Sequence, residues 1–231
     1  MPAAHSSGRW RPALAEFLRS GGCRGPQWTA LPAFAPWLAI LLCGSGYGAV
    51  MASYHGFAGE RLLMIGYGAL KVPMLSLATL LAAVPCFYVL NMLAGVGDDF
   101  GRVWNALVDY QLSVALQLAV LAPATLLVNV SNGDYRTAQA WSTLLFAATA
   151  WNARRSLRNC YAELTRKNSV HRALGRIWFG LYAFVGIQMA WDLRPFVGHP
   201  AMPVQFFRDQ IGNAYVEVFR LGMLYLRQFV S

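Results

Sequence analysis

Long apolar runs separated by short arginine-bearing connectors constrain this chain more than any single motif does. A helix needs about 20 mainly apolar residues to cross roughly 30 Å of hydrocarbon. Residues 34–54, 73–94, 110–130, 137–152 and 177–193 meet or approach that requirement. Inside lipid no water is available to the backbone, so such runs satisfy their N–H and C=O groups as helices. The expected fold is therefore all-α, a polytopic membrane helical bundle of five transmembrane helices with amphipathic interfacial helices, and six spans if residues 211–230 also cross. Only 13% of residues are charged, about half the usual share of a soluble domain, and 57% are hydrophobic. A chain of 231 residues then suits a cytoplasmic segment at 1–33, a five-span bundle at 34–193, and an ordered extracytoplasmic loop with a carboxyl-terminal amphipathic helix at 194–231.

The connector between the fourth and fifth runs sets the orientation. Arg154, Arg155, Arg158, Arg166, Lys167, Arg172 and Arg176 face one acid in it, Glu163. Basic residues near span ends stay on the cytoplasmic side. The first 33 residues carry four further arginines, and four spans separate them from the connector, so both lie on one side, with the amino terminus in the cytoplasm. Trp37, Trp104, Trp141, Trp151, Trp178 and Trp191 fall at or near the expected span ends, as headgroup-level rings do. The formal charge of +9 follows membrane side rather than a soluble face, so the partners expected are the lipid bilayer and its anionic lipids, and a protein partner or second copy, with no nucleic acid.

Local features refine this picture. Gly44 and Gly48 form a GxxxG pair for close helix packing. Pro73 is expected to divide the stretch 62–94 into a partly buried lead-in and the second span, and Pro85 to kink that span. Leu14, Phe17 and Leu18 suggest a short helix resting on the inner surface. Phe100, Val103, Trp104 and Leu107 form an i, i+3, i+4, i+7 stripe that suggests another. Cys23, Cys43, Cys86 and Cys160 contain no CxxC pair, and they read as apolar filler rather than as a disulfide framework or a zinc site.

Chemistry-bearing candidates are sparse. Gly66-Tyr67-Gly68 has the look of a potassium-filter tripeptide but lacks the filter threonine, and it repeats at Gly46-Tyr47-Gly48, so close helix packing is the favoured reading. Lys71 is the most interior charge, and snorkelling to the outer interface is its favoured role. Asp98, Asp99 and Asp109 lack a His or Cys at ligand spacing and read as a solvated helix face; no metal and no cofactor is expected. The four histidines, His171 among them, are scattered in loops or tails. No Walker loop, HExxH or GxSxG appears, so the chain is not expected to be an enzyme. The prolines and aromatics of 195–207 suggest an ordered outer loop, held by a structural clamp of Asp192, Arg194, Arg208 and Asp209.

The segment LRPFVG...P...QFFR, with Lys71-Val72-Pro73 and Phe87-Tyr88-Val89-Leu90-Asn91, resembles an uncharacterised family of bacterial multi-pass inner-membrane proteins over roughly residues 71–215. That resemblance implies location and topology but supplies no site residues. A cytoplasmic amino terminus and five spans are also similar in topology to the Yip1 family, whose members shape membranes and act as trafficking partners. The expected function is a noncatalytic membrane assembly or scaffold subunit whose basic cytoplasmic face, Arg154 to Arg176, meets anionic lipid or an acidic partner. The alternative is a small channel or transporter subunit, with a pathway near Gly66, Tyr67, Gly68 and Lys71 and the third-span groups Gln111, Gln117 and Asn129.

Overall fold

The computed structural model describes residues 7–54, 59, 61–131, 134–194, 196–197, 204–207 and 213–216. These residues form an all-α bundle. In chain order the helices are α1 (Ser7–Arg19), α2 (Pro26–Thr29), α3 (Ala35–Ala52), α4 (Arg61–Leu93), α5 (Phe100–Ser131), α6 (Tyr135–Cys160), α7 (Ala162–Lys167) and α8 (Val170–Asp192), with a 3-10 turn at Gly97–Asp99 before α5. Four of these segments, containing α3, α4, α5 and α8, are long and apolar enough to cross a membrane. The 26-residue α6 is long enough at about 1.5 Å per residue but more polar. Ser142, Thr143 and Thr149 donate their hydroxyls to carbonyls one turn back, which satisfies part of that polarity within the helix. Leu42, Leu62, Leu81, Val120, Leu127 and Ile187 are exposed on the outer faces of the bundle, as lipid-facing residues would be.

Helix α3 is central, packing on both α4 and α5; α8 packs on α4, and α6 on α5. Backbone approach between α3 and α4 is closest where Gly48 meets Gly68, since a Cβ on either would run into the other's carbonyl. Helices α5 and α8 meet instead through large rings. Tyr110 lies 5.1 Å from Trp178 and 5.3 Å from Tyr182, and Trp178 stacks on Tyr182 at 4.9 Å. Trp178 is fully buried between these helices.

Several boundaries differ from expectation. Pro73 does not divide residues 62–94: α4 runs unbroken from Arg61 to Leu93 and holds both prolines. In a membrane helix a proline is tolerated more readily than in a soluble one. The stripe at Phe100 to Leu107 is not a separate surface helix but the first turns of α5, and Val103 and Leu107 are buried in the bundle. Helix α1 does form, but it folds back rather than lying free: Ala13 and Phe17 pack with Trp28, Leu31, Ala39 and Leu112, Trp28 Nε1 donates to the Ala13 carbonyl at 2.9 Å, and Leu18 stays exposed.

Tertiary contacts sort the connectors into two ends. At one end the α1–α2 head meets the α6 terminus, where Cys23 and Cys160 form a disulfide with Cα atoms 5.6 Å apart, and Asn159 donates to the Gly21 carbonyl. The filler reading of these two cysteines is thereby corrected; Cys43 and Cys86 are free. Tertiary folding closes a separation of 137 residues, so no local spacing signalled the pair. The turn at Gly97–Asp99 reaches the same end, through Asp99 to Lys167. At the other end Asn129 donates to the Val50 carbonyl at 2.9 Å, Tyr54 packs on Tyr135, and Tyr135 donates to the Val197 carbonyl.

Candidate functional site: an arginine-lined cavity

Helix α6 carries Arg154, Leu157 and Arg158 at i, i+3 and i+4, and its C-cap Tyr161 follows at i+7 on the same stripe. Helix α8 presents His171 with Gly175 and Arg172 with Arg176, two pairs at i, i+4, while α7 adds Ala162, Thr165 and Arg166. These three helices enclose a cavity of about 590 Å³ lined by those eleven residues. Five arginines border it and no carboxylate does. None of the five forms an ion pair among the described residues. The Arg154 guanidinium is fixed over Trp151 at 4.8 Å and Phe179 at 5.5 Å, which orders a cation without neutralising it.

Two nearby acids, Asp99 and Asp109, are engaged elsewhere. Asp99 accepts two hydrogen bonds from Lys167 Nζ, at 3.0 and 3.1 Å, and lies 3.3 Å from His171 Nε2. Asp109 is buried and ion-paired with Arg24, whose backbone N–H also donates to it at 3.2 Å. The solvated-face reading is thus corrected for Asp99 and Asp109, and Asp98 remains exposed. With Asp99 and Asp109 engaged there, no carboxylate is among the residues that line the cavity.

Two buried side chains on α8 and at the α6 C-cap also belong to this region. His171 and Tyr161 are buried and line the cavity, and His171 Nδ1 and Tyr161 Oη have no hydrogen-bond partner. Burial pushes the Tyr161 phenol above its ordinary value, so it remains an O–H donor. A signal existed: the α6 stripe and the two i, i+4 pairs of α8 share one helical register each. What the sequence lacked was the turn at Tyr161 that faces them across α7.

Of the seven basic residues singled out in the connector, five meet here. Arg155 is exposed outside the cavity, and Lys167 is held by Asp99. The candidate pathway residues do not form a channel lining. Gly66, Tyr67 and Gly68 are helical within α4, which excludes a filter loop of backbone carbonyls. Gln111 donates to the Ser76 carbonyl and accepts from Tyr182, joining α4, α5 and α8. Gln117 donates to Ser113 and accepts from Asn152 on α6. Lys71 is fully buried, not snorkelling, and its Nζ sits 4.9 Å over the Phe206 ring. In the expected clamp, Asp192 accepts from Gln188 at 3.1 Å and Arg194 stacks over Trp191 at 3.3 Å; Arg208 and Asp209 lie outside the described residues.

No protein family, curated protein or solved structure matches this chain.

Proposed function

We propose that this chain is a noncatalytic subunit embedded in the bacterial inner membrane, amino terminus in the cytoplasm, that holds an anionic group of the lipid surface or an acidic partner on its inner face. The observation that carries the reading is the cavity: five arginines converge on one concavity bordered by no acid. Like charges brought together in a folded protein repel unless an anion joins them, and anionic headgroups are the most abundant anions at that depth. The α1–α2 head, the 97–99 turn and the basic connector share one end of the bundle, so a single cytoplasmic face would carry all of them. The channel alternative has less support, because Gln111, Gln117 and Asn129 are committed to hydrogen bonds between helices.

Native mass spectrometry of protein extracted with its lipids tests this reading. Wild type is expected to retain anionic lipid, and a variant carrying Arg158→Ala, Arg172→Ala and Arg176→Ala to lose most of it while remaining folded. Equal retention by both proteins would overturn the proposal. Ion flux into proteoliposomes from correctly inserted wild type would favour the channel reading instead.

A further inference from the structure

Where thiols are kept reduced, a bonded cysteine pair is usually transient and acts in sensing or catalysis rather than as a permanent staple. We infer that Cys23 and Cys160 are a reversible redox clasp, open as two thiols in the resting cell and closed by hydroperoxide, that fastens the α1–α2 head to the carboxyl-terminal end of α6. The inference rests on the orientation proposed above, since in an oxidising compartment the same bond would stay closed.

The connector before Cys23 is shaped to seat on α6. Gly21 and Gly22 both have positive φ, 71° and 93°, and a Cβ would strike Asn159 from the first and Ser156 from the second. Asn159 and Ser156 donate to the Gly21 and Gly22 carbonyls, so the seat is held independently of the sulfurs. Each sulfur also has an acceptor within reach for its thiol state. Cys23 Sγ lies 3.9 Å from the Ser156 carbonyl, and Cys160 Sγ lies 3.6 Å from the Gly22 carbonyl and 3.7 Å from Asp109 Oδ2. Opening the bond therefore strands no donor, and closing it needs no backbone shift, with the Cα atoms already 5.6 Å apart. Both cysteines are half-buried, which leaves them open to an oxidant as small as hydrogen peroxide.

One hydrogen peroxide balances the step. The first sulfur attacks a peroxide oxygen and becomes a sulfenic acid, and its thiol proton leaves with the displaced hydroxide as water. The second sulfur attacks the first, the S–S bond forms, and the sulfenic hydroxyl departs with the second thiol proton as another water. Two thiols are thus oxidised by two electrons while the peroxide is reduced, and a dithiol reverses the change by exchange, ending as a disulfide itself. With the clasp open, the head is held by the Arg24–Asp109 pair, the two hydrogen bonds from α6 and the apolar cluster around Phe17 and Trp28. Closure makes that hold covalent and ties the head to the cavity wall, because Leu157, Arg158 and Tyr161 flank Cys160.

The full-length chain carrying Cys43→Ser and Cys86→Ser retains the pair as its only cysteines. Cells are quenched with acid before, during and after a brief pulse of hydrogen peroxide, and free and bonded thiols are counted by maleimide gel shift before and after reduction. Two free thiols are expected before the pulse, one bonded pair during it, and two free thiols after recovery. In nanodiscs, amide hydrogen exchange across residues 13–28 is expected to be at least about tenfold slower with the bond closed than with it reduced, a difference that Cys160→Ser removes. Thiols that persist through the pulse, or a bond that leaves exchange unchanged, overturn the clasp. A bond present before the pulse and constant throughout also overturns it; labelling of Ser169→Cys from outside the intact inner membrane would then overturn the orientation too, whereas labelling from inside alone would leave the orientation standing.

Discussion

Arg24 and Asp109 show how an ordinary surface residue becomes structural once the chain folds. Arg24 lies in the α1–α2 connector, 85 residues before Asp109, yet its side chain pairs with the Asp109 carboxylate and its Nη2 reaches the Asn105 carbonyl at 3.3 Å. The Asp109 side chain is 7% exposed, so removing its partner would leave a charge with little water to receive it. Arg24→Ala is expected to cost about 3–5 kcal/mol, whereas Arg24→Met combined with Asp109→Leu should recover most of the loss; thermal unfolding in detergent measures both. Cys23 and Cys160 add a covalent tie at the same place. On the orientation proposed above, a disulfide there would sit in a compartment where thiols are kept reduced. The pair is therefore expected to be alkylated as two thiols when cells are quenched with acid before lysis, and to form the bond only after air oxidation. Once formed, the bond should add about 2–5 kcal/mol, seen as a lower melting temperature on adding reductant.

Element boundaries follow local chemistry wherever a cap is present. Asp134 opens α6 by accepting from the backbone N–H groups of Arg136 and Thr137 and from the Thr137 hydroxyl, bonds that hold its carboxyl below the usual carboxylate range. A carboxyl held low in the folded state stabilises it above the unfolded value, about pH 3.9, and that contribution is lost as pH falls through the lower folded value. Asp134→Ala should therefore melt below wild type at pH 7, and the gap should close toward pH 3. Pairing of α3 with α4 depends on glycine instead. Gly48→Leu or Gly68→Leu forces the helices apart and is expected to destabilise by about 1–3 kcal/mol or more, while Gly46→Leu, which faces open space, should leave unfolding unchanged. Equal effects at Gly46 and Gly48 would refute that account of the pairing.

At the scale of the whole molecule the two-ended sorting of connectors gives the most direct test of orientation. Single cysteines at Gly59 and Ser169, in a background lacking the four native cysteines, should react with a membrane-impermeant maleimide from opposite sides. Gly59 is expected to be labelled once the outer membrane is permeabilised, and Ser169 only after the inner membrane is opened. Labelling of Ser169 first would invert the map and place the disulfide in an oxidising compartment. Helix α6 is not among the four helices long and apolar enough to cross; its hydroxyls bond within the helix, and its carboxyl-terminal end meets the α1–α2 head.

By itself the sequence determined the class of fold, because period, length and the exclusion of water from lipid leave a 20-residue apolar run few options. It also marked Gly48 for close packing, since that glycine acts through one adjacent helix. Tertiary structure alone decided that Phe100 to Leu107 faces the core, that Lys71 is buried under Phe206, that Cys23 meets Cys160, and that five of seven connector cations share a cavity above Tyr161 and His171. Each of those depends on which faces of distant helices meet. Helical periodicity specifies a face but not its partner, and the partner is chosen by the packing of the whole bundle.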